Sequence, residues 1–200
     1  MKCAPKSIFP AFETIKAVDG VLQHIAYHQA RFDKTRQECY GSVDKISLSS
    51  LLSPPKELTC RVRVEYTHEV LHVEYIPYVP RKINSFCIVE SNLNYAYKWS
   101  NREEITALLV EGYDDIIIVK NGLLCDTSIA NVAVFMDGAW MTPKEPLLKG
   151  VTRQRLIDSG FLQVANLTMQ SLQKMEKFAI MNALIGFKII ENVCITRKKD

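Results

Sequence analysis

Four short stretches of this chain carry residue types and spacings that could do chemistry. His68-Glu69-Val70-Leu71-His72 spells the H-E-x-x-H pattern of zinc-dependent hydrolysis. That chemistry needs a helix, because only i, i+4 spacing on a helix turns both imidazoles toward one metal. The flanking residues alternate as in a strand, which would set the two Cα atoms ~13 Å apart. The other histidines, His24 and His28, lie upstream, which leaves only a glutamate as a third ligand. A hairpin is therefore expected here, with no metal. Lys98 follows Asn94-Tyr95-Ala96-Tyr97, a semi-apolar run able to desolvate an ammonium and favour the neutral amine that forms imines and shuttles protons. By residue type alone a surface lysine is the preferred reading. Asp126 follows the Asn121-Gly122 turn and could cap that hairpin or face a cation. Gly150-Val151-Thr152 opens a helical pattern, where backbone N–H groups and the Thr152 hydroxyl can converge on a phosphate.

The elements that must position these residues are legible in the pattern. Residues 8–18 mix apolar and polar side chains as a strand does, Asp19-Gly20 makes a turn, and Val21–Ala26 reads as its partner. His24–Glu38 reads as a helix, and Ser47–Leu58 as a loop or short helix broken at Pro54-Pro55. Val62, Val64 and Tyr66, then Leu71, Val73 and Tyr75, alternate as the two arms of a hairpin. Tyr75–Arg81, with Pro77 and Pro80, is the candidate linker between a small lobe (1–80) and a larger one (81–200). In the second lobe, Ser85–Val89 is a strand, Tyr95–Lys98 an extended piece and Asn101–Val110 a helix. Asp114–Val119 and Leu123–Asp126 form a hairpin around Asn121-Gly122, and Val132–Met136 and Ala139–Thr142 a second around Asp137-Gly138. A helix over Thr152–Asp158 ends at Gly160, and Phe178–Met181 and Phe187–Ile190 are the last strands. The expectation is an α+β fold in two lobes with largely antiparallel sheets.

Bulk properties narrow the class. Twenty-five basic against 22 acidic side chains leave +3, too weak a bias to imply nucleic acid, and the one basic run, Arg197-Lys198-Lys199, reads as a solvated end. No stretch reaches membrane-spanning length, and the first residues lack the apolar core of a signal peptide. Six cysteines without a CxxC pair read as free thiols, so a cytoplasmic protein is expected.

Five landmarks, in order, then resemble the class IV aminotransferase family, the pyridoxal 5′-phosphate (PLP) enzymes of fold type IV. These are Phe12-Glu13-Thr14-Ile15 with Asp19-Gly20, His28-Gln29-Ala30-Arg31, Lys98-Trp99-Ser100-Asn101-Arg102, Asn121 through Asn131, and Trp140–Pro143 followed by Leu147–Arg153. The resemblance implies a fold type IV enzyme with a truncated N-terminal lobe, acting on a small amino substrate as a homodimer. It implies that Lys98 carries PLP as a Schiff base and that Arg31 reaches the cofactor phosphate. Asp126 stands where the family usually has a glutamate facing the ring nitrogen: the charge is kept and the side chain is one methylene shorter. Val151 and Thr152 would bind the phosphate, joined by Asn182 and Ala183, with Asn131 a structural hydrogen-bonder.

Within the family, Lys-x-x-Asn-Arg at Lys98–Arg102 and Asn182-Ala183-Leu184 are similar to aminodeoxychorismate lyase, which releases 4-aminobenzoate and pyruvate from 4-amino-4-deoxychorismate. The other readings are an aminotransferase of D-amino acid or branched-chain type, or a PLP-fold protein that binds without catalysis. Arg61, Arg63, Arg81 and Arg102 are the candidates for gripping a substrate carboxylate.

Overall fold

The structure, a computed structural model, describes residues 9–197. Ile8 of the expected first strand, Cys3 and the end of the basic run, Lys198 and Lys199, lie outside the described residues. The chain divides into two units, one running up to Val79 and including Tyr97–Asn101, the other formed by Pro80–Ala96 and the chain from Arg102 onward. The segment bearing Lys98 thus belongs with the first unit, whereas the sequence reading put it in the second lobe. The physical reason is a backbone clip to the first strand, described below.

In the first unit, β1 (Ala11–Val18) turns at Asp19-Gly20 into a two-residue β2 (Val21–Leu22), shorter than expected because α1 (Ile25–Tyr40) begins immediately after it. A single turn, α2 (Leu48–Leu51), precedes the hairpin of β3 (Thr59–Tyr66) and β4 (Val70–Pro77). The sheet is antiparallel throughout, in the order β2-β1-β3-β4. Period-2 alternation gives it two faces. Ala11, Ile15, Ala17, Cys60, Val62, Val64 and Tyr66 point to one side and form a core with Phe32 of α1, whose ring lies 4.5 Å from that of Tyr66. The inward stripe of α1 is His28, Phe32, Thr35, Arg36 and Cys39, the spacing of one helical face, although only two of the five are apolar. Arg36 can be buried because Asp44 takes its Nη2 at 2.9 Å and the carbonyls of Asp44 and His68 accept from it as well. Gly41, at φ 72°, ends the helix by donating back to the carbonyls of Arg36 and Gln37. His68 and Glu69 lie in the β3–β4 turn and His72 on β4, so the helix that H-E-x-x-H would need is not formed.

The second unit begins with β5 (Ser85–Glu90) and, after the Lys98 excursion, a single-turn α3 (Glu103–Thr106) where a longer helix was expected. There follow β6 (Asp115–Lys120), β7 (Leu123–Thr127), β8 (Asn131–Met136), β9 (Ala139–Pro143), α4 (Val151–Asp158) and β10 (Leu162–Ala165). Then come α5 (Met169–Lys174), β11 (Lys177–Asn182), β12 (Gly186–Ile189) and β13 (Cys194–Arg197). The strand order is β10-β9-β8-β7-β6-β5-β13, with β11 bridging β8 and β12. The hairpins are antiparallel as expected, but β5–β6, β9–β10 and β5–β13 are parallel. Both sheet faces are covered: Val132, Val134, Phe178 and Ile180 enter one core, while Ala133, Ala179 and Met181 pack with Leu156 of α4 on the other side. Two-sided burial explains why β6 reads as a continuous apolar run.

Candidate functional site

The residues singled out in the sequence fall into two clusters, one in each unit. In the first unit, the Lys98 segment is hydrogen-bonded to the start of β1. Phe12 N–H donates to the Lys98 carbonyl at 2.8 Å, and the backbone N–H and hydroxyl of Ser100 both donate to the Pro10 carbonyl, at 2.8 and 2.9 Å. Trp99, bridged to Ala11, packs against the unit's core with its ring 5.3 Å from that of Tyr97. The Tyr97 hydroxyl donates to Glu38 at 3.1 Å. The backbone of Lys98 is therefore held from both sides. Its half-buried side chain places Nζ 4.4 Å from the centroid of the Phe12 ring, and the Arg63 guanidinium stands 4.0 Å from the same centroid.

Beneath β1 lies a hydrogen-bonded triad of Glu13, His28 and Arg31. Glu13 is fully buried on the inward face of β1. It accepts from His28 Nδ1 at 2.6 Å, from Arg31 Nε at 2.7 Å and from Arg31 Nη2 at 2.6 Å. Burial alone would raise the pKa of this carboxyl, but the charge of Arg31 and the bonds from His28 and Arg31 outweigh it and hold the group at about 2. Glu13 fixes where the Arg31 guanidinium stands. The sequence reading gave Glu13 no task beyond a landmark, yet the signal was there. A carboxylate at an inward strand position must find cations, and His28 and Arg31, at i, i+3, share one helical face.

In the second unit, Asp126 on β7 is almost wholly buried. Its Oδ1 accepts from Asn131 Nδ2 at 2.6 Å and its Oδ2 from the Leu148 N–H at 2.9 Å. Asn131, directly across the β7–β8 ladder, also donates to the Leu148 carbonyl at 2.8 Å, as a structural hydrogen-bonder should. Desolvation by burial dominates and pushes the Asp126 carboxyl up to about 7, against these bonds and the charge of Arg153, which pull it down. The carboxyl is therefore near the midpoint of its titration at neutral pH.

Gly150 caps α4, and here the lack of a side chain serves close approach: a Cβ would sit 2.1 Å from Asn131 Oδ1. Val151 and Thr152 occupy the first turn of α4, where a helix offers no internal acceptor for the N–H groups, and both are buried. Arg153, also buried, donates from Nη2 to the Pro143 carbonyl at 2.6 Å and leaves Nε without an acceptor among the described residues. Its part in the charge balance of Asp126 was not foreseen. The Asn182 side chain is committed to its own turn: Oδ1 accepts from the N–H groups of Leu184 and Ile185 at 2.9 and 3.0 Å, and Nδ2 donates to the Ile129 carbonyl at 3.2 Å.

Comparison with known proteins adds kinship to this geometry. Residues 92–193 match the family model for amino-transferase class IV. An uncharacterised protein of Haemophilus influenzae is 31% identical over 187 residues, 90% of this chain and 100% of its own length. The crystal structure of a proposed 4-amino-4-deoxychorismate lyase from Haemophilus somnus superposes with a TM-score of 0.82 at 28% identity, covering 90% of this chain and 98% of that one. A proposed amino-acid aminotransferase from Mesorhizobium loti shares the fold at 22% identity, with a TM-score of 0.76 over 95% of this chain and 100% of its own.

Proposed function

Because the chain belongs to the class IV aminotransferase family, whose members are PLP-dependent enzymes of fold type IV, we propose that it binds PLP and converts 4-amino-4-deoxychorismate to 4-aminobenzoate and pyruvate. The observation that carries the reaction is kinship to the Haemophilus somnus protein, extending over 98% of that chain at 28% identity. The Asn101-Arg102 pair after Lys98 and the Asn182-Ala183-Leu184 run, both lyase-like, support it.

The residues present fit the cofactor. A buried acid balanced near neutrality suits a ring nitrogen that must stay protonated, and Asp126 is such an acid. The first turn of α4, with the Thr152 hydroxyl, suits a phosphate. Lys98 would hold the cofactor, Asp126 the ring nitrogen, and Arg31, Val151, Thr152, Asn182 and Ala183 the phosphate, the last two through backbone N–H groups.

When bound, PLP supplies an aldehyde that condenses with amines and a ring that withdraws electrons from the carbon next to nitrogen. Lys98 Nζ would take the proton from the substrate carbon that bears the amine. The carbon–oxygen bond at the neighbouring ring carbon breaks, enolpyruvate leaves and takes up a proton to become pyruvate, and the ring becomes aromatic. Asp126, positioned by Asn131 and the Leu148 N–H and facing the charge of Arg153, would keep the ring nitrogen protonated. No keto acid is needed, so one substrate completes the cycle.

The test supplies the substrate through a coupled synthase and measures both products. Equimolar 4-aminobenzoate and pyruvate support the reading. If neither forms, and alanine or glutamate instead converts the cofactor to its amine form reversibly with a keto acid, the chain is an aminotransferase. We also propose a homodimer, the association the family resemblance implies. No helix among the described residues is long and apolar enough to cross a membrane.

A further inference from the structure

The second face of the β2-β1-β3-β4 sheet carries a charge pattern that works against its own stability. Lys16 on β1 stands directly opposite Arg61 on β3, and Thr14 opposite Arg63. Like charges facing each other across two strands destabilise a sheet. Among the described residues, the ion pairs on this face are Arg63–Glu65, at 3.7 Å, and His72–Glu74, at 3.3 Å. Neither includes Lys16 or Arg61, and Arg61 Nε is buried without an acceptor among the described residues. Glu74, the β4 residue opposite Arg63, faces His72 instead. Following β3, the cations run Arg61, Arg63, and then reach the Phe12 ring, whose centroid lies 4.0 Å from the Arg63 guanidinium and 4.4 Å from Lys98 Nζ. A row of cations, of which Arg63 is paired with Glu65 and Arg61 has no ion pair among the described residues, therefore ends beside the amine that the proposed chemistry uses.

The other candidate arginines are spent elsewhere. Arg81 donates to the Asp114 carbonyl at 2.9 Å, and Arg102 to the Ser128 carbonyl. Both are occupied with backbone oxygens that hold loops in place.

We propose that Arg61 and Arg63 receive carboxylates of the substrate beside Lys98, so that this chain selects amines bearing two carboxylates over amines bearing one. The proposal rests on the reading of Lys98 as the cofactor lysine. A planar guanidinium offers the paired donors that match a carboxylate, and its partly buried position strengthens that match over what solvent would allow. Lys16, opposite Arg61, adds a third charge that favours a dianion over a monoanion.

The probe is chorismate, which carries both carboxylates of the proposed substrate but a hydroxyl in place of the amine, so it binds without condensing. Its affinity for the PLP-loaded protein, measured by calorimetry, is compared with that of benzoate. The wild type should prefer chorismate, and Arg61→Gln and Arg63→Gln should each weaken chorismate by roughly tenfold or more, the loss expected for a hydrogen bond to a charged group. Lys45→Gln, an equal loss of charge at an exposed position of the same unit, should change nothing. If a glutamine variant fails to fold, the wild type still decides: raising the salt concentration should weaken chorismate more than benzoate. Chorismate binding within twofold of wild type in both variants, or equal salt dependence of the two ligands, overturns the proposal. The visible cofactor absorbance is read in the same samples. A normal band with arginine-independent binding sinks the arginine assignment alone. A missing band in the wild type sinks the cofactor reading, whatever chorismate does.

Discussion

Replacing Glu13 with Gln should unfold the first unit far more readily than its single-atom change suggests. Glu13 is fully buried and accepts three bonds of 2.6–2.7 Å, from His28 and Arg31. In the native state its carboxyl is held at about 2 instead of 4.5, because the charge of Arg31 and the bonds from His28 and Arg31 outweigh the desolvation that burial imposes. The folded value lies below the unfolded one, so the contribution to stability is fully present above pH 4.5 and is lost as pH falls toward 2. At ~1.4 kcal/mol per pH unit that interval amounts to about 3.5 kcal/mol. An independent route gives a similar figure: removing one member of a buried ion pair costs about 3–5 kcal/mol, since the partner is left uncompensated. Against a domain stability of roughly 5–15 kcal/mol, either is a large fraction. The assay is urea unfolding followed by circular dichroism at pH 7, repeated in steps down to pH 3. Glu13→Gln should lose about 3.5 kcal/mol at pH 7 and should lack most of the wild type's decline below pH 4.5. A variant within 1 kcal/mol of wild type at pH 7, or one with the same acid slope, would refute the account of this triad.

Three further outcomes follow from the second unit and from assembly. Gly150→Ala places a Cβ 2.1 Å from Asn131 Oδ1, so Asn131 must move and release both Asp126 and the Leu148 carbonyl; a loss of about 2–4 kcal/mol is expected in thermal or urea unfolding, and an unchanged midpoint would show that the turn yields freely. Asp126, raised from 3.8 to about 7, has the opposite pH signature to Glu13: its share of stability is full below pH 3.8 and is lost as pH rises through 7, on the order of 4 kcal/mol in the cofactor-free protein. Carbon-13 NMR of the carboxyl should show it titrating near neutrality, whereas a titration below pH 4 would mean that water reaches the group. Sedimentation at micromolar concentration should give a dimer, and a monomer that retains full PLP occupancy would contradict the proposed assembly.

How much of this was legible in the sequence depends on what each segment buries. β1, the β3–β4 hairpin and the β6–β7 and β8–β9 hairpins follow from period and turn residues, since each has one inward face or a tight Asn-Gly or Asp-Gly turn. β10, α5 and β13 escaped the sequence reading. β10 buries only Leu162 among its four residues, and β13 is a short, mostly exposed parallel edge strand. The start of α5 is marked by Thr168 and Ser171, a capping pair with serine where glutamate is the usual signal. The long helix expected over Asn101–Val110 shrinks to one turn because Leu108 and Val110 pack against β5 and β6 as irregular chain. Lys98 and Asp126 were legible through order and spacing. The groups that tune them were not: Glu13 holds Arg31 and Arg153 balances Asp126 through contacts between residues 18 and 27 positions apart, and no local pattern reports such distances.

The central claim is that Lys98 carries the cofactor. Borohydride reduction of the PLP-loaded protein, followed by tryptic digestion and mass spectrometry, tests it in one step. The modified lysine resists cleavage, so the label should appear on the uncleaved peptide running from Ile83 to Arg102, in which Lys98 is the only internal lysine. Label on that peptide, lost in Lys98→Ala, is the predicted result; label on another lysine, or none after reduction of a protein that has bound PLP, would contradict the account.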